Sequence, residues 1–194
     1  MTTLIEVKAR CHDMEAMRQR LGELAAAAAA ACAASSATAP SPPLSPPTTL
    51  QQDDTFFVCA KGRLKLRELA PDRGRLIFYV RGDGAGAKQT DFVVSKTDAP
   101  AALRECLALA YGVLGRVQKT RTVFELGRGV RAHLDQVLGL GCFVELEVVL
   151  DGAVVDAARG EALIGEAMAA LGIRREDLLS GAYLDLLMAG RAAG

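Results

Sequence analysis

Short segments in which charged and apolar residues alternate strictly recur along the chain, and this alternation constrains the fold more than any other feature of the sequence. Residues 143–150 show the pattern, since Glu145 and Glu147 are separated by single apolar residues. Side chains of a strand point alternately to its two faces, so both carboxylates share one face. Neighbouring carboxylates resist burial unless a cation lies between them. Taken alone, this segment is compatible with a strand whose charged face is in water.

The same pattern, bounded by turn signals, predicts eight strands. They span residues 4–10, 52–60, 63–69, 75–82, 88–96, 116–126, 130–137 and 142–151. Short turns such as Lys61-Gly62 join several of them, so the sheet should be mainly antiparallel. The glycine-rich residues 82–86 precede a strand and not a helix, which favours a hairpin loop over a phosphate-binding loop.

Helical spacing of apolar residues predicts helices between and after these strands. The first helix begins after Asp13, and the second lies between Pro100 and Gly112. A third covers residues 155–171, and one or two short helices cover residues 176–188. The helix at 155–171 and the short helices at 176–188 both have the pattern of scaffold. Residues 25–50 are rich in alanine and proline, and we expect a disordered insertion there within one domain that spans residues 1–194. The alanine run can also extend the first helix by propensity.

Composition limits the function classes. Lysine plus arginine and aspartate plus glutamate both number 23, so no overall charge attracts nucleic acid or an anionic membrane. The five cysteines are scattered without a C-x-x-C pair, which indicates reduced thiols. The patterned residues begin at Leu4, so we expect no signal peptide, and no apolar run approaches the length of a membrane span. A cytoplasmic protein is expected.

Charge is segregated on the predicted strands. The basic set is Lys8, Arg10, Arg63, Lys65, Arg67, Arg81, Lys119, Arg121 and Arg131, and the acidic set is Glu6, Asp135, Glu145 and Glu147. Each strand could turn these residues to water. Alternatively, eight strands could close into a barrel whose apolar faces pack outward against helices and whose charged faces line the bore. Such a bore would suit polyphosphate oxygens on its cations and Mg²⁺ or Mn²⁺ on its carboxylates.

Seven short motifs occur in an informative order. They are Ile5-Glu-Val-Lys-Ala-Arg10, Gln52-Asp-Asp-Thr-Phe-Phe57, Gly62-Arg-Leu-Lys-Leu-Arg-Glu68, Tyr79-Val-Arg81, Lys119-Thr-Arg121, His133-Leu-Asp135 and Phe143-Val-Glu-Leu-Glu147. In this order they resemble the CYTH superfamily of triphosphate tunnel metalloenzymes, which includes class IV adenylyl cyclases, thiamine triphosphatases and inorganic triphosphatases. The resemblance is closest to the adenylyl cyclase-like and thiamine triphosphatase-like branch. It implies an α+β fold in which an eight-stranded antiparallel β-barrel forms a tunnel with helices packed outside.

The resemblance also implies the site residues. The catalytic set is Glu6, Lys8, Glu145 and Glu147; the substrate-binding set is Lys8, Lys65, Arg67, Arg81, Lys88, Lys119, Arg121 and His133; the metal ligands are Glu6, Asp135, Glu145 and Glu147. The superfamily signature E-x-E-x-K matches Glu6 and Lys8, but its first Glu falls on Leu4, so one carboxylate ligand is missing. His133 could bind substrate or orient a ligand, and it could equally be a structural histidine.

Three functions follow from this resemblance. The first is a triphosphatase that depends on Mg²⁺ or Mn²⁺ and hydrolyses the terminal phosphate of tripolyphosphate, thiamine triphosphate or ATP. The second is a class IV-type adenylyl cyclase that forms cyclic AMP and pyrophosphate, with residues 52–57 as part of a base and ribose pocket. The third is a non-catalytic polyphosphate- or nucleotide-binding module. We expect a monomer or homodimer without nucleic-acid or membrane partners.

Overall fold

Eight strands close into an antiparallel barrel in the computed structural model, which describes residues 2–34, 44–81, 86–150 and 155–192. The strands are β1 (Thr2–Arg10), β2 (Thr48–Phe57), β3 (Arg63–Ala70), β4 (Arg73–Arg81), β5 (Lys88–Thr97), β6 (Val113–Glu125), β7 (Val130–Val137) and β8 (Gly141–Leu150). Their order around the barrel is β1-β5-β4-β3-β2-β6-β7-β8, and β8 pairs with β1 to close it. The predicted antiparallel β-barrel is therefore confirmed.

Helices surround this barrel in the described ranges. They are α1 (Met14–Ala34), α2 (Pro100–Tyr111), α3 (Ala157–Leu171), a 3₁₀ turn (Arg175–Asp177) and α4 (Tyr183–Ala192). Asp13 caps α1 as the sequence predicts, since its side chain accepts hydrogen bonds from the backbone N–H groups of Glu15 and Ala16. None of these helices combines the length and apolar content that crossing a membrane requires.

The apolar faces of the strands point outward. Ile5 and Val7 of β1, with Leu146 of β8, pack against Leu21 of α1 and Ile164 of α3 in the main hydrophobic core. The residues that alternate with them therefore point into the barrel. This decides between the two sequence interpretations: the charged faces of these strands line a bore.

The alanine-rich and proline-rich segment is more ordered at its ends than the sequence suggests. Helix α1 continues through the alanine run to Ala34, and β2 begins at Thr48 because residues 48–51 pair with β6. Ordered structure thus enters both ends of the segment 25–50, whereas residues 35–43 lie outside the described ranges.

The predicted strand 52–60 is displaced, because β2 ends at Phe57. Strands β4 and β5 are antiparallel neighbours, as expected for a hairpin, although residues 82–85 of the connection are also outside the described residues.

Candidate active site

A cavity of about 370 Å³ occupies the barrel. Eight Lys and Arg side chains and four carboxylates line it among the described residues: Lys8, Lys65, Arg67, Arg75, Arg81, Lys119, Arg121 and Arg131, with Glu6, Asp54, Glu145 and Glu147. His133 also lines the cavity. Of the predicted site residues, only Lys88 and Asp135 are absent from its lining. The cations outnumber the carboxylates, so the cavity attracts anions.

Helix α4 closes one end of the barrel. Its residues Tyr183 and Leu184 pack with Val117 and Phe143, and the rings of Phe143 and Tyr183 lie 4.9 Å apart. The cavity reaches solvent at the other end, where the lining residues Arg75 and Val94 are exposed. The C-terminal helix therefore belongs to the site, and its interpretation as scaffold is wrong because Tyr183 lines the cavity.

Asp54 on β2 organises the basic pair of β3. Its carboxylate accepts hydrogen bonds from Lys65 Nζ at 2.9 Å and from Arg67 Nε and Nη2 at 2.7 Å each. Burial raises the pKa of Asp54, but the two cations outweigh burial and hold that pKa well below its usual range. Asp54 is thus a permanent anion that fixes two phosphate-binding candidates.

Asp135 on β7 is a second anchor. Arg121 Nε and Nη2 donate to it at 2.7 and 2.6 Å, Lys119 Nζ at 2.9 Å and the Tyr183 hydroxyl at 2.8 Å. The side chain is fully buried and does not line the cavity. The predicted role of Asp135 as a metal ligand does not fit this geometry, because its side chain is fully buried outside the cavity lining and is held there by four donor contacts.

The wall formed by β7 and β8 carries three side chains suited to a metal ion. His133 Nδ1 lies 3.3 Å from Glu145 Oε1, and His133 Nε2 lies 3.8 Å from Glu147 Oε1. One potential ligand atom from each residue lies within 4.8 Å of the other two. Two carboxylates and an imidazole are donors that divalent transition metals accept, so the residues fit such an ion.

Cations also contact these carboxylates. Lys8 Nζ lies 3.0 Å from Glu145 Oε2, and Arg131 Nη2 lies 2.7 Å from Glu147 Oε1. Burial raises the pKa of Glu145, but Lys8 and Arg121 hold it well below its ordinary value. Glu145 is therefore ionised at neutral pH, and a metal ion that bound it would displace Lys8 and Arg121 from its oxygens.

Glu6 is the cross-strand neighbour of Glu147 but is not among the three clustered ligands. It accepts hydrogen bonds from Arg81 Nη1 at 3.3 Å and from Thr90 Oγ1 at 3.2 Å. Lys88 is buried beside this region, where its Nζ donates to the backbone carbonyl of Ser180 in the segment that precedes α4. Lys88 therefore bonds to the chain and does not line the cavity.

Two lysines of the site have pKa values below the ordinary value of a lysine. Burial, with Arg67 second, lowers the pKa of Lys65 to about 8. Burial, with Arg121 second, lowers the pKa of Lys119 to about 7. Crowded buried cations without enough counter-charge have this property, which a bound polyanion would relieve.

Among the cavity-lining residues, sequence reasoning assigns no role to Arg75 or Tyr183, and it includes Asp54 only within residues 52–57 of the cyclase pocket. A signal for Asp54 exists, because it alternates with Gln52 and Phe56 on the inward face of β2. Tyr183 has no local signal, since its partner Asp135 lies 48 residues earlier in the chain.

Comparison with solved structures shows the same fold. PH1012 from Pyrococcus horikoshii aligns over 96% of this chain and 99% of its own, with 20% identity and a TM-score of 0.73. A conserved hypothetical protein from Pyrococcus furiosus aligns over 94% and 99%, with 21% identity and a TM-score of 0.74. HpAC1 from Hippeastrum, a candidate adenylyl cyclase with a dominant triphosphatase activity, aligns over 98% and 96%, with 15% identity and a TM-score of 0.64.

Sequence comparison identifies the family. No curated protein matches the chain. The family profile described as the CYTH domain, however, matches residues 35–175, which is most of the sequence. The matched part contains seven of the eight strands and omits β1 with Glu6 and Lys8. Together with the closed barrel and its charged cavity, this match shows that the chain belongs to the CYTH domain family.

Proposed function

We propose that the chain is a metal-dependent triphosphatase that hydrolyses the terminal phosphate of a triphosphate held in the barrel cavity. One observation carries the proposal: eight Lys and Arg side chains face four carboxylates in one cavity, and two of these carboxylates adjoin His133 as a set of metal ligands. An excess of cations suits a polyanion, and family membership supports a metal-dependent enzyme.

The phosphate-binding residues come from four strands. Lys8, Lys65, Arg67, Arg81, Lys119 and Arg121 would contact the phosphate oxygens. Asp54 and Asp135 hold four of these six in place, so their positions exist before substrate binds. Preorganised cations stabilise the charge that spreads over a transferring phosphoryl group without having to rearrange during the reaction.

Glu145, Glu147 and His133 would hold the divalent ion. When bound, the ion neutralises phosphate charge and acts as a Lewis acid. His133 supplies the third ligand that Leu4 cannot, since leucine stands where the family signature has its first Glu.

The reaction requires water as the nucleophile. A bond forms between the water oxygen and the terminal phosphorus, and the bond from that phosphorus to the bridging oxygen breaks. Glu6 is the cavity carboxylate outside both the metal group and the Asp54 anchor, so it is placed to accept the proton that the water loses. Arg81, which donates to Glu6, neutralises charge near that carboxylate.

The test is a substrate panel of tripolyphosphate, thiamine triphosphate and ATP, each with Mg²⁺ and with Mn²⁺, with all products quantified. Hydrolysis gives orthophosphate and a diphosphate product. Cyclic AMP and pyrophosphate without orthophosphate would instead establish cyclisation. Tight binding without metal-dependent turnover of any substrate would establish a binding module.

A double variant, Glu145→Ala with Glu147→Ala, checks the metal assignment. It should abolish metal-dependent turnover, whereas the matched change Glu161→Ala with Glu166→Ala on α3, outside the cavity, should leave turnover as it is. Full activity of the Glu145 and Glu147 variant would refute the assignment.

A further inference from the structure

Apolar side chains line the barrel cavity toward its open end, where Arg75 is also exposed. Six inward-facing residues form what we call the collar: Leu4, Leu50, Ile77, Phe92, Val94 and Val123. Leu4, Leu50 and Val123 lie on the side of their strands' charged lining residues away from α4, as Leu4 lies beyond Glu6 and Val123 beyond Arg121, whereas Ile77 lies between Arg75 and Arg81 on β4. A ligand that fills the charged part of the cavity and extends toward solvent therefore passes these residues.

The collar belongs to the ligand cavity and not to the hydrophobic core. The core lies between the outward strand faces and the helices, whereas collar residues face the cavity. Val94 remains 41% exposed. An inorganic polyphosphate gains nothing from such a surface, since its ionised oxygens lose water against apolar groups without compensation. A carbon-based group gains free energy there by burying apolar area.

Gln52 supplies a second and independent observation. It lines the cavity between the Asp54 anchor and Leu50 of the collar, and only 6% of its surface is exposed. Its Oε1 is buried and has no hydrogen-bond partner within the described residues. An unpaired buried acceptor destabilises a protein, so its retention in a ligand cavity points to a ligand that donates to it. Fully ionised tripolyphosphate has only acceptor oxygens, whereas a hydroxyl or amine of an organic group is a donor.

We infer that the substrate is an organic triphosphate, in which an apolar or aromatic group occupies the collar and a hydroxyl or amine near the triphosphate donates to Gln52. This inference rests on the proposed function and narrows its substrate class to organic triphosphates. Leu4 stands where the family signature has its first Glu, so it removes a possible metal ligand from β1. The same side chain adds apolar surface to the collar.

The first experiment compares kcat/KM for ATP and for thiamine triphosphate with kcat/KM for tripolyphosphate. Each ratio of organic to inorganic substrate should exceed about tenfold, since apolar contacts and a paired hydrogen bond each contribute discrimination of this size. The variant Val94→Ser should lower the ratio severalfold. Its neighbour Val93 is 50% exposed on the outer face of β5 and pairs with Phe78, so Val93→Ser is the matched control and should keep the ratio.

The second experiment replaces Gln52 by methionine, which has a similar shape and lacks the acceptor. The ratio of organic to inorganic kcat/KM should fall about tenfold. At the same time, the melting temperature of the ligand-free protein should rise, because a buried unpaired acceptor is removed. A lower melting temperature with an unchanged ratio would make Gln52 a packing residue and would overturn its role in substrate recognition.

The outcomes separate this inference from the proposed function. Equal or faster hydrolysis of tripolyphosphate would overturn the inference and leave the triphosphatase proposal intact. If no triphosphate is hydrolysed, calorimetric binding of the β,γ-methylene analogue of ATP, compared with tripolyphosphate, still tests the collar. Tighter binding of the analogue, weakened by Val94→Ser and not by Val93→Ser, would support the inference, and equal binding would reject it.

Discussion

The hydroxyl of Tyr183 on α4 donates a hydrogen bond of 2.8 Å to Asp135 Oδ2 on β7. Asp135 also binds Lys119 and Arg121, so the C-terminal helix is tied to the carboxylate that fixes two cavity cations. The Tyr183 ring lies under both Lys8 Nζ and Lys119 Nζ, at 4.3 and 4.9 Å from its centroid. One aromatic side chain thus closes the barrel and positions three cations.

Tyr183→Phe should reveal the contribution of the hydroxyl, since the ring and its contacts with Lys8 and Lys119 remain. The loss of a donor to a buried carboxylate should lower the free energy of unfolding by about 1–3 kcal/mol, measured by urea denaturation. Tyr111→Phe, at an exposed tyrosine, is the control and should leave stability as it is. An equal effect of both changes would show that the hydrogen bond to Asp135 contributes nothing.

Asp135→Asn tests whether Asp135 is an anchor or a metal ligand. Removal of its charge leaves Lys119 and Arg121 buried without their main counter-charge, so unfolding should become easier by about 3–5 kcal/mol. Mn²⁺ affinity, measured by calorimetry below the melting temperature, should change little compared with that of Glu147→Gln. If Asp135→Asn lost as much Mn²⁺ affinity as Glu147→Gln, Asp135 would be a metal ligand after all.

Binding of a triphosphate should take up protons. The pKa values of Lys119 and Lys65 are about 7 and about 8 in the free protein, and a bound polyanion should raise both. At about pH 8, Lys119 is mostly neutral and Lys65 about half so, and ATP binding in the presence of EDTA should take up roughly one proton. At about pH 6 both lysines already carry their protons, and the uptake should disappear.

Calorimetry in buffers of different ionisation enthalpy measures this uptake. Lys119→Met should reduce it, and Lys96→Met, on β5 outside the cavity, should not. Proton release under the alkaline condition would contradict the charge state assigned to the two lysines.

The metal group predicts a preference for Mn²⁺ over Mg²⁺. Mg²⁺ favours oxygen ligands, whereas His133 offers nitrogen. His133→Asn should weaken Mn²⁺ binding by at least about tenfold, a loss usual even for residues that only support a metal ligand. Leu4→Glu should restore the carboxylate of the family signature and improve Mg²⁺ binding. Unchanged Mn²⁺ affinity in His133→Asn would leave His133 a structural histidine.

Lys65→Ala should raise KM more than it lowers kcat. Its ammonium group faces the cavity, and loss of a hydrogen bond between charged groups should raise KM about tenfold. Lys61→Ala, in the turn before β3, is the control for general charge effects. An equal rise in KM for both variants would indicate long-range attraction instead of direct contact.

Sequence alternation carries most of the information about this barrel. The strict period of two places Glu145 and Glu147 on one face and Val144 and Leu146 on the other, and the structure keeps that division. Which face is inside does not follow from one strand, because an outward charged face obeys the same pattern. That answer required closure of the sheet, which is a property of all eight strands together.

The partners of charged residues were less predictable than their positions. Asp135 fits the pattern of a metal ligand in the sequence, but Lys119 and Arg121 reach it across the β6 and β7 pairing and Tyr183 reaches it from α4. Such contacts depend on register and on how a distant helix packs. Local periodicity describes neither.

The ion pairs between cavity carboxylates and cavity cations have a consequence for how ligands bind. Glu145 holds Lys8 and Glu147 holds Arg131, so a metal ion that takes these carboxylates releases both cations. A triphosphate that takes Lys8 in turn frees Glu145 for the metal ion. Binding of both would be an exchange of ionic partners, in which each ligand raises the affinity for the other by the same factor. A metal ion and a triphosphate should therefore each bind more tightly in the presence of the other than alone.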